Sequence, residues 1–191
     1  QPGNDETSTQ EIAFPNGQQA RLVRLAHTAG AAEALDVLGL ERPTPLIVVV
    51  GGAARLDRLR NRLFRPHLKP RLEQLLGRGI ARAAADAGAA VIDGGTEAGV
   101  MALIGQAVAD RGRQTVLLGV APAGRVAYPG GPTAGVPLDA NHSHFVLPPG
   151  ERWGSETETM FALAEALARR SPVVTVLVNG GAIARNCLLY T

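Results

Sequence analysis

The sequence predicts an α/β domain: a mostly parallel sheet with helices between its strands, entered through an N-terminal β-hairpin. Three observations predict it. Short β-branched runs end in glycine turns, as at 46–50 before Gly51-Gly52, 89–92 before Asp93-Gly94-Gly95 and 173–178 before Asn179-Gly180-Gly181. Between them lie stretches with apolar residues at helical spacing, and such alternation requires crossover connections and parallel pairing. The continuous run Leu46-Ile47-Val48-Val49-Val50 suits a strand covered on both faces. The 191 residues are 46% hydrophobic and 19% charged, enough for one packed domain and too apolar for wholesale disorder.

The elements follow in order. Residues 1–10 are polar and read as a loose tail. Apolar runs at 12–14 and 20–25 flank Pro15-Asn16-Gly17-Gln18, and Asn-Gly between two such runs signals a hairpin. Residues 31–40 read as a short helix that stops before Pro43. After the 46–50 strand, Leu56, Leu59, Leu63 and Phe64 recur at helical spacing. Leu72, Leu75, Leu76, Ile80, Ala83 and Ala87 do the same up to Gly88. Strand 89–92, helix 97–109 and strand 115–120 come next. Residues 128–137 are rich in glycine and proline and form a loop. Strand 144–147, helix 156–170 and strand 173–178 complete the pattern.

Composition excludes several function classes. Aromatics are only 4%, which argues against a nucleic-acid binder built on rows of stacking rings. The net charge is +2, so the sequence pI of 9.2 carries no strong polyanion footprint. The single cysteine, Cys187, excludes a disulfide framework and a Cys-rich zinc site, and fits a reducing compartment. No apolar run approaches the roughly 18 residues that span a bilayer, and no signal-peptide pattern opens the chain.

The strongest motif is Asp93-Gly94-Gly95-Thr96-Glu97-Ala98-Gly99-Val100-Met101, which joins a strand directly to a helix. Glycines let a ligand approach the backbone, and helix N-terminal amides favour an anion such as phosphate. Thr96 is expected either to cap the helix or to offer its hydroxyl to a ligand. Gly99 brings no helix-forming advantage, which points to close approach of another group. Gly51-Gly52-Ala53-Ala54 repeats the arrangement without the GxGxxG or GK[ST] spacing, so a plain turn and a phosphate contact both stay open. Asn179-Gly180-Gly181 is a third such turn.

Trp153-Gly154-Ser155-Glu156-Thr157-Glu158 opens the late helix. Ser155 suits a cap, and the two acids suit the positive end of the helix dipole. Alternatively, Glu156 or Glu158 accepts ribose hydroxyls or works as an acid/base. His142 and His144, two apart, would share one side of a strand, but no accompanying ligand cluster makes a metal site. Ser143 lacks a glycine elbow, so it is no hydrolase nucleophile. Arg55, Arg58, Arg60, Arg62, Arg65, Lys69 and Arg71 read as a solvated helix face, with Arg55 or Arg58 near enough to a glycine turn to reach phosphate. Cys187 has no partner motif and receives no role.

Taken in order, strand-Gly51-Gly52-Ala53, VIDGGTEAGVMALIGQA at 91–107, LLGVAP at 117–122, LDANHSHFVLPPG at 138–150, WGSETE at 153–158 and VLVNGG at 176–181 resemble the SLOG superfamily. The resemblance is to its prokaryotic LSDAT branch, which is similar to the N-terminal cytosolic region of melastatin-type transient receptor potential channels. It covers roughly residues 12–183. It implies a Rossmann-like, doubly wound domain over 11–191 that binds a nucleotide or nucleotide-derived signal, ADP-ribose and NAD relatives included, in the cytoplasm. By position, the implied pocket comprises Gly51, Gly52, Ala53, Gly94, Gly95, Thr96, Gly99, Val120, Ala121, Pro122, Gly154, Ser155, Glu156, Glu158, Asn179 and Gly180. No cofactor and no metal are implied. An effector domain or protein is the implied partner, and nucleic acid is not.

The wider superfamily includes cytokinin-activating phosphoribohydrolases with a PGGxGTxxE motif. PPGERWGSETE at 148–158 holds the comparable place without the PGG run, and Glu158 is placed like the motif's acid. Three functions therefore stand as expectations. The first is a sensor that passes ligand occupancy to an effector. The second is an N-glycosidic or phosphoribosyl hydrolase using Glu156, Glu158 or Asp93. The third is an interaction module for single-stranded DNA. Family members continue past the NGG turn with a further helix and strand. The expectation is accordingly a domain truncated at its C-terminal end, with an open sheet edge that invites a homo-oligomer.

Overall fold

The computed structural model describes residues 7–26, 30–40, 44–51 and 68–178. Two strands open the chain: β1 (Ser8–Ala13) and β2 (Gln19–Arg24) pair antiparallel around Asn16-Gly17, with Gly17 at φ 81°. β1 begins earlier than the sequence suggests. Ser8, Thr9 and Gln10 pair with Arg24, Val23 and Leu22, so the expected tail is strand from Ser8 onward. The polar side chains hid it, because an edge strand leaves them largely in water.

Helix α1 (Ala31–Leu38) ends on Gly39, whose left-handed backbone donates to the carbonyls of Asp36 and Leu35. Strand β3 (Leu46–Gly51) follows. The next helical stretch is α2 (Leu68–Gln74), a π-helical segment (Leu75–Ala81) and α3 (Arg82–Ala87), closed by left-handed Gly88. Regular α-periodicity was expected throughout. Gly77 and Gly79 favour the α-helix least, and the chain widens there. Arg111 donates to the Gly77 carbonyl at 3.1 Å and ties the segment to the end of the following helix.

Strand β4 (Ala90–Asp93), helix α4 (Gly99–Ala109) and strand β5 (Leu117–Val120) come next. Two short parallel strands bracket the expected 128–137 loop: β6 (Val126–Ala127) just before it and β7 (Val136–Pro137) at its end. Strand β8 (His144–Leu147), helix α5 (Thr157–Ala168) and strand β9 (Val173–Val178) complete the described chain.

The seven-stranded sheet has the order β1-β2-β8-β5-β4-β3-β9, parallel everywhere except the β1–β2 hairpin. It is a doubly wound α/β sheet. On one face, α1 and α5 bury Leu35, Leu38, Leu163 and Leu167 against Val48, Ile92, Leu118 and Val146. On the other, the π segment and α4 bury Leu76, Ile80, Val100 and Ile104 against Val49, Val91 and Leu117. A third apolar cluster joins the hairpin to the 121–138 segment through Phe14, Leu22, Ala121, Tyr128, Leu138 and Phe145. Val48, Val49 and Val50 are buried on alternate faces, as the unbroken apolar run predicts. On the β9 edge, Val173, Val174 and Leu177 stay 47%, 56% and 40% exposed. Among the described residues, no helix is long and apolar enough to cross a membrane.

Candidate functional site

In a doubly wound sheet, ligands gather beyond the carboxyl ends of the strands. Here that rim is built from Gly51 at the end of β3, residues 94–99 after β4, 121–125 after β5 and 148–156 after β8.

The β4 turn is anchored from beneath. Asp93, the last residue of β4, is fully buried, and its Oδ1 accepts the Gly95 N–H at 2.7 Å. The same oxygen lies 2.8 Å from His142 Nε2, and His142 Nδ1 lies 2.8 Å from Asp139 Oδ2. Phe145 stacks on the imidazole with centroids 5.6 Å apart. Burial alone would lower the His142 pKa, but the Asp93 and Asp139 carboxylates outweigh it and raise it to about 10. The imidazole is therefore clamped between two carboxyl groups that favour its protonated form. Asp93 Oδ2 is buried without a hydrogen-bond partner.

The turn is also stitched to the segment before β8. Asp139 donates its N–H to the Gly95 carbonyl at 2.9 Å, Glu97 donates to the Pro137 carbonyl at 2.8 Å, and Thr96 bridges Leu138. Gly95 has φ 62°, and a Cβ there would lie 2.6 Å from the Gly119 backbone. Only glycine fits this approach. Gly105 of α4 is equally constrained, since the Asp139 carboxylate occupies the space a Cβ would need.

Beyond Thr96 the chain changes character. Glu97 is exposed, and Ala98 and Gly99 are half-buried. Ala98 is the N-cap of α4 and offers no side-chain hydrogen bond, while Gly99 enters the helix at φ 56°. The expected Thr96 cap is thus corrected: Thr96 is drawn into its bridge with Leu138, two residues short of the helix. Gly51 is packed close by, since a Cβ on it would lie 2.8 Å from Val100 Cγ2.

The β5 and β8 ends are zipped together. Ala123 donates to the Pro148 carbonyl at 2.9 Å and Gly124 to the Gly150 carbonyl at 3.0 Å. Ser155 does not cap α5 as expected; its Oγ donates to the Arg152 carbonyl at 2.8 Å, and Glu156 is the N-cap. Glu156 folds back so that its Oε2 accepts the Gly154 N–H at 2.7 Å, and burial raises its pKa. Glu158 is exposed in the first turn of α5. The guanidinium of Arg125 sits 5.7 Å from the Trp153 ring centroid.

The structure brings Gly51, Gly94, Gly95, Thr96, Gly99, Gly154, Ser155 and Glu156 to one rim. Gly95, Thr96, Val120, Ala121 and Pro122 are buried in it rather than open to solvent. Gly52, Ala53, Asn179, Gly180, the arginines from Arg55 to Arg65 and Cys187 lie outside the described residues. Asp93 is corrected as a catalytic acid: it is sealed beneath the turn and engaged by His142. The two histidines also part company. β8 starts only at His144, whose Nδ1 lies 2.8 Å from Ser143 Oγ. Among the described residues, no group of three or more His, Cys, Asp or Glu side chains could hold a metal ion. Sequence reasoning missed the Asp139–His142 pair, for which the signal was an acid three residues before a histidine. An open groove of about 560 Å³, between the π segment and the end of α4, is lined by Glu73, Gly77, Arg78, Asp110 and Arg111. It lies about a helix length from Gly99.

Comparison with known proteins adds the lineage. The LSDAT family described as SLOG in TRPM, prokaryote, matches residues 44–189. Transient receptor potential cation channel subfamily M member-like 2 of Nematostella vectensis is 30% identical over 86% of this chain and 13% of that protein. Subfamily M member 2 of Mus musculus is 28% identical over 75% of this chain and 11% of that protein. This chain therefore spans only a small part of either channel. Among solved structures, the molybdenum cofactor binding protein of Rippkaea orientalis is 19% identical. It covers 78% of this chain and 85% of that one at a TM-score of 0.31, too loose an overlay to bear on the ligand.

Proposed function

The chain belongs to the prokaryotic LSDAT family, the SLOG domain related to the melastatin-type channels, and from that premise we propose that it is a cytosolic ligand-sensing domain. It binds a nucleotide or nucleotide-derived anion, of the ADP-ribose and NAD class, at the carboxyl rim of its sheet. Occupancy is passed to an attached or associated effector.

One observation carries this reading: α4 begins without a side-chain cap, directly beyond the glycine turn of β4. The first-turn amides of a helix have no intrahelical partners, and the helix dipole adds positive potential. Such an end accepts phosphate. Gly51 brings the end of β3 against Val100 at the start of α4, and the half-buried Glu156 adds a carboxylate acceptor suited to ribose hydroxyls.

The test is thermal unfolding with ADP-ribose, NAD, AMP and ribose 5-phosphate. At a hundredfold excess over Kd, a ligand that binds only the folded state adds about 2.7 kcal/mol, or a Tm rise of about 5 to 10 °C for a chain this size. Gly99→Asn and Gly99→Asp both tolerate the left-handed backbone. The first keeps the shift; the second places its own carboxylate at the amides and abolishes it. Absence of any shift with all four compounds ends the reading.

A further inference from the structure

We propose that the groove between the π segment and the end of α4 docks an acidic peptide segment of a partner protein. The proposal goes beyond the sensing reading and requires no ligand at the rim.

One wall of the groove is the π segment, with Gly77 and Arg78; the other is the end of α4, with Ala107, Asp110 and Arg111. Widened turns of this kind recur at functional sites, and this one lies where the groove runs. The walls are held before any partner arrives. Leu76 and Ile104 lock the two elements together in the core, and Arg111 Nε donates to the Gly77 carbonyl from one wall to the other. A preformed groove spares a partner the cost of ordering it.

The charges select the occupant. Asp110 Oδ1 already accepts the Gln106 side-chain amide at 2.7 Å, and Glu73 is engaged as well. Arg78 is exposed and makes no hydrogen bond or ion pair among the described residues, and the same holds for Arg71 of α2. The charge left unneutralised on this face is therefore positive. A guanidinium pairs best with a carboxylate, through two parallel N–H···O bonds. On the same segment Leu75 stands half exposed, an apolar anchor for a neighbouring side chain of the partner.

Three other occupants fit this chemistry poorly. Small-molecule sites bury about 70–90% of their ligand, which an open groove does not achieve. A second copy would bring the same unpaired arginines face to face. Single-stranded nucleic acid needs rings to stack on, and none lines the groove. A peptide lying along the groove keeps one side in water and sets an acid on Arg78 and an apolar side chain on Leu75. Its partner protein then touches the far end of the helix that starts at Gly99.

Selection of a random dodecapeptide library on the intact chain, with counter-selection on Arg78→Glu, tests the proposal. Arg78 is exposed and unbonded, so the reversal leaves folding intact, which urea unfolding verifies. Enriched sequences are expected to carry Asp or Glu beside Leu, Ile or Phe. Such a peptide binds Arg78→Glu about 10-fold or more weakly, loses affinity as salt rises, and regains affinity for the variant when its acid is changed to Lys. Arg24→Glu, on the hairpin, leaves its affinity unchanged. If no acidic sequence is enriched, or if the peptide binds Arg78→Glu as tightly as wild type, the groove is not its dock. If free glutarate competes as well as the peptide at equal concentration, the site is one for small anions and the proposal fails. It fails equally if a single-stranded oligonucleotide or a second copy of the chain, rather than a peptide, binds in an Arg78-dependent way.

Discussion

The two halves of the Asp93–Met101 motif face opposite ways. From Asp93 to Thr96 the chain is largely sealed: Asp93, Gly95 and Thr96 are buried, Gly94 is half-buried, and the turn is held by His142, Asp139 and Leu138. From Glu97 to Gly99 it is exposed or half-buried, and it enters α4 without a side-chain cap. One nine-residue stretch thus contains both a lock and a candidate mouth. The difference teaches that glycine in such a motif has two separate uses. Gly95 is glycine because the protein's own Gly119 backbone presses on it. Gly99 is glycine because the chain must turn at positive φ into a helix that begins without a side-chain cap.

The largest way to break this comparison is to remove the lock. His142→Ala leaves Asp93 and Asp139 buried without their cation, which costs about 3–5 kcal/mol. Urea unfolding should show a correspondingly lower midpoint. A midpoint within about 0.5 kcal/mol of wild type would mean the cluster is no lock. The next effect separates the two glycines. Gly95→Ala meets both a backbone clash and a positive φ and is expected to cost about 3 kcal/mol or more. Gly99→Ala meets the positive φ, about 1–2 kcal/mol. Equal losses at the two positions would erase the distinction between sealed and open halves.

Much of this was legible in the sequence. The hairpin, β3 and β9 stand where alternation, Asn-Gly and the valine runs place them, because those signals are local and periodic. The glycine turn was visible as well. The caps were not. Thr96 and Ser155 are capping residues by type, but Thr96 is drawn toward Leu138, 42 positions away in sequence, and Ser155 bonds back to Arg152. Tertiary and turn contacts overrode the local preference. The lock was hidden for the same reason: Asp93 and His142 are 49 residues apart. Pairing His142 with His144 assumed a strand that begins only at His144. In the helix before β4, the apolar period ran unbroken across Gly77 and Gly79, and period alone cannot show a widened turn.

The smallest effect per step is the pH dependence, and it tests whether the lock is ionic. His142 is held at about 10 in the folded protein, against an ordinary 6.5. The folded state therefore keeps a proton that the unfolded chain releases. Its contribution is complete below about pH 6.5 and is lost as pH rises toward 10, by at most about 1.4 kcal/mol per pH unit. His144 behaves oppositely. Burial, and then Arg21, lower it to about 4. Its contribution is complete above about pH 6.5 and is lost as pH falls through 4. The two windows meet near neutrality, so His142→Ala should flatten the alkaline limb of a plot of urea midpoint against pH, and His144→Gln the acid limb. A wild-type midpoint that stays level from pH 7 to 9.5 would make His142 a neutral ring between two hydrogen bonds. The sealed half of the motif would then be held by shape and hydrogen bonding, and its contrast with the open half would no longer be one of charge.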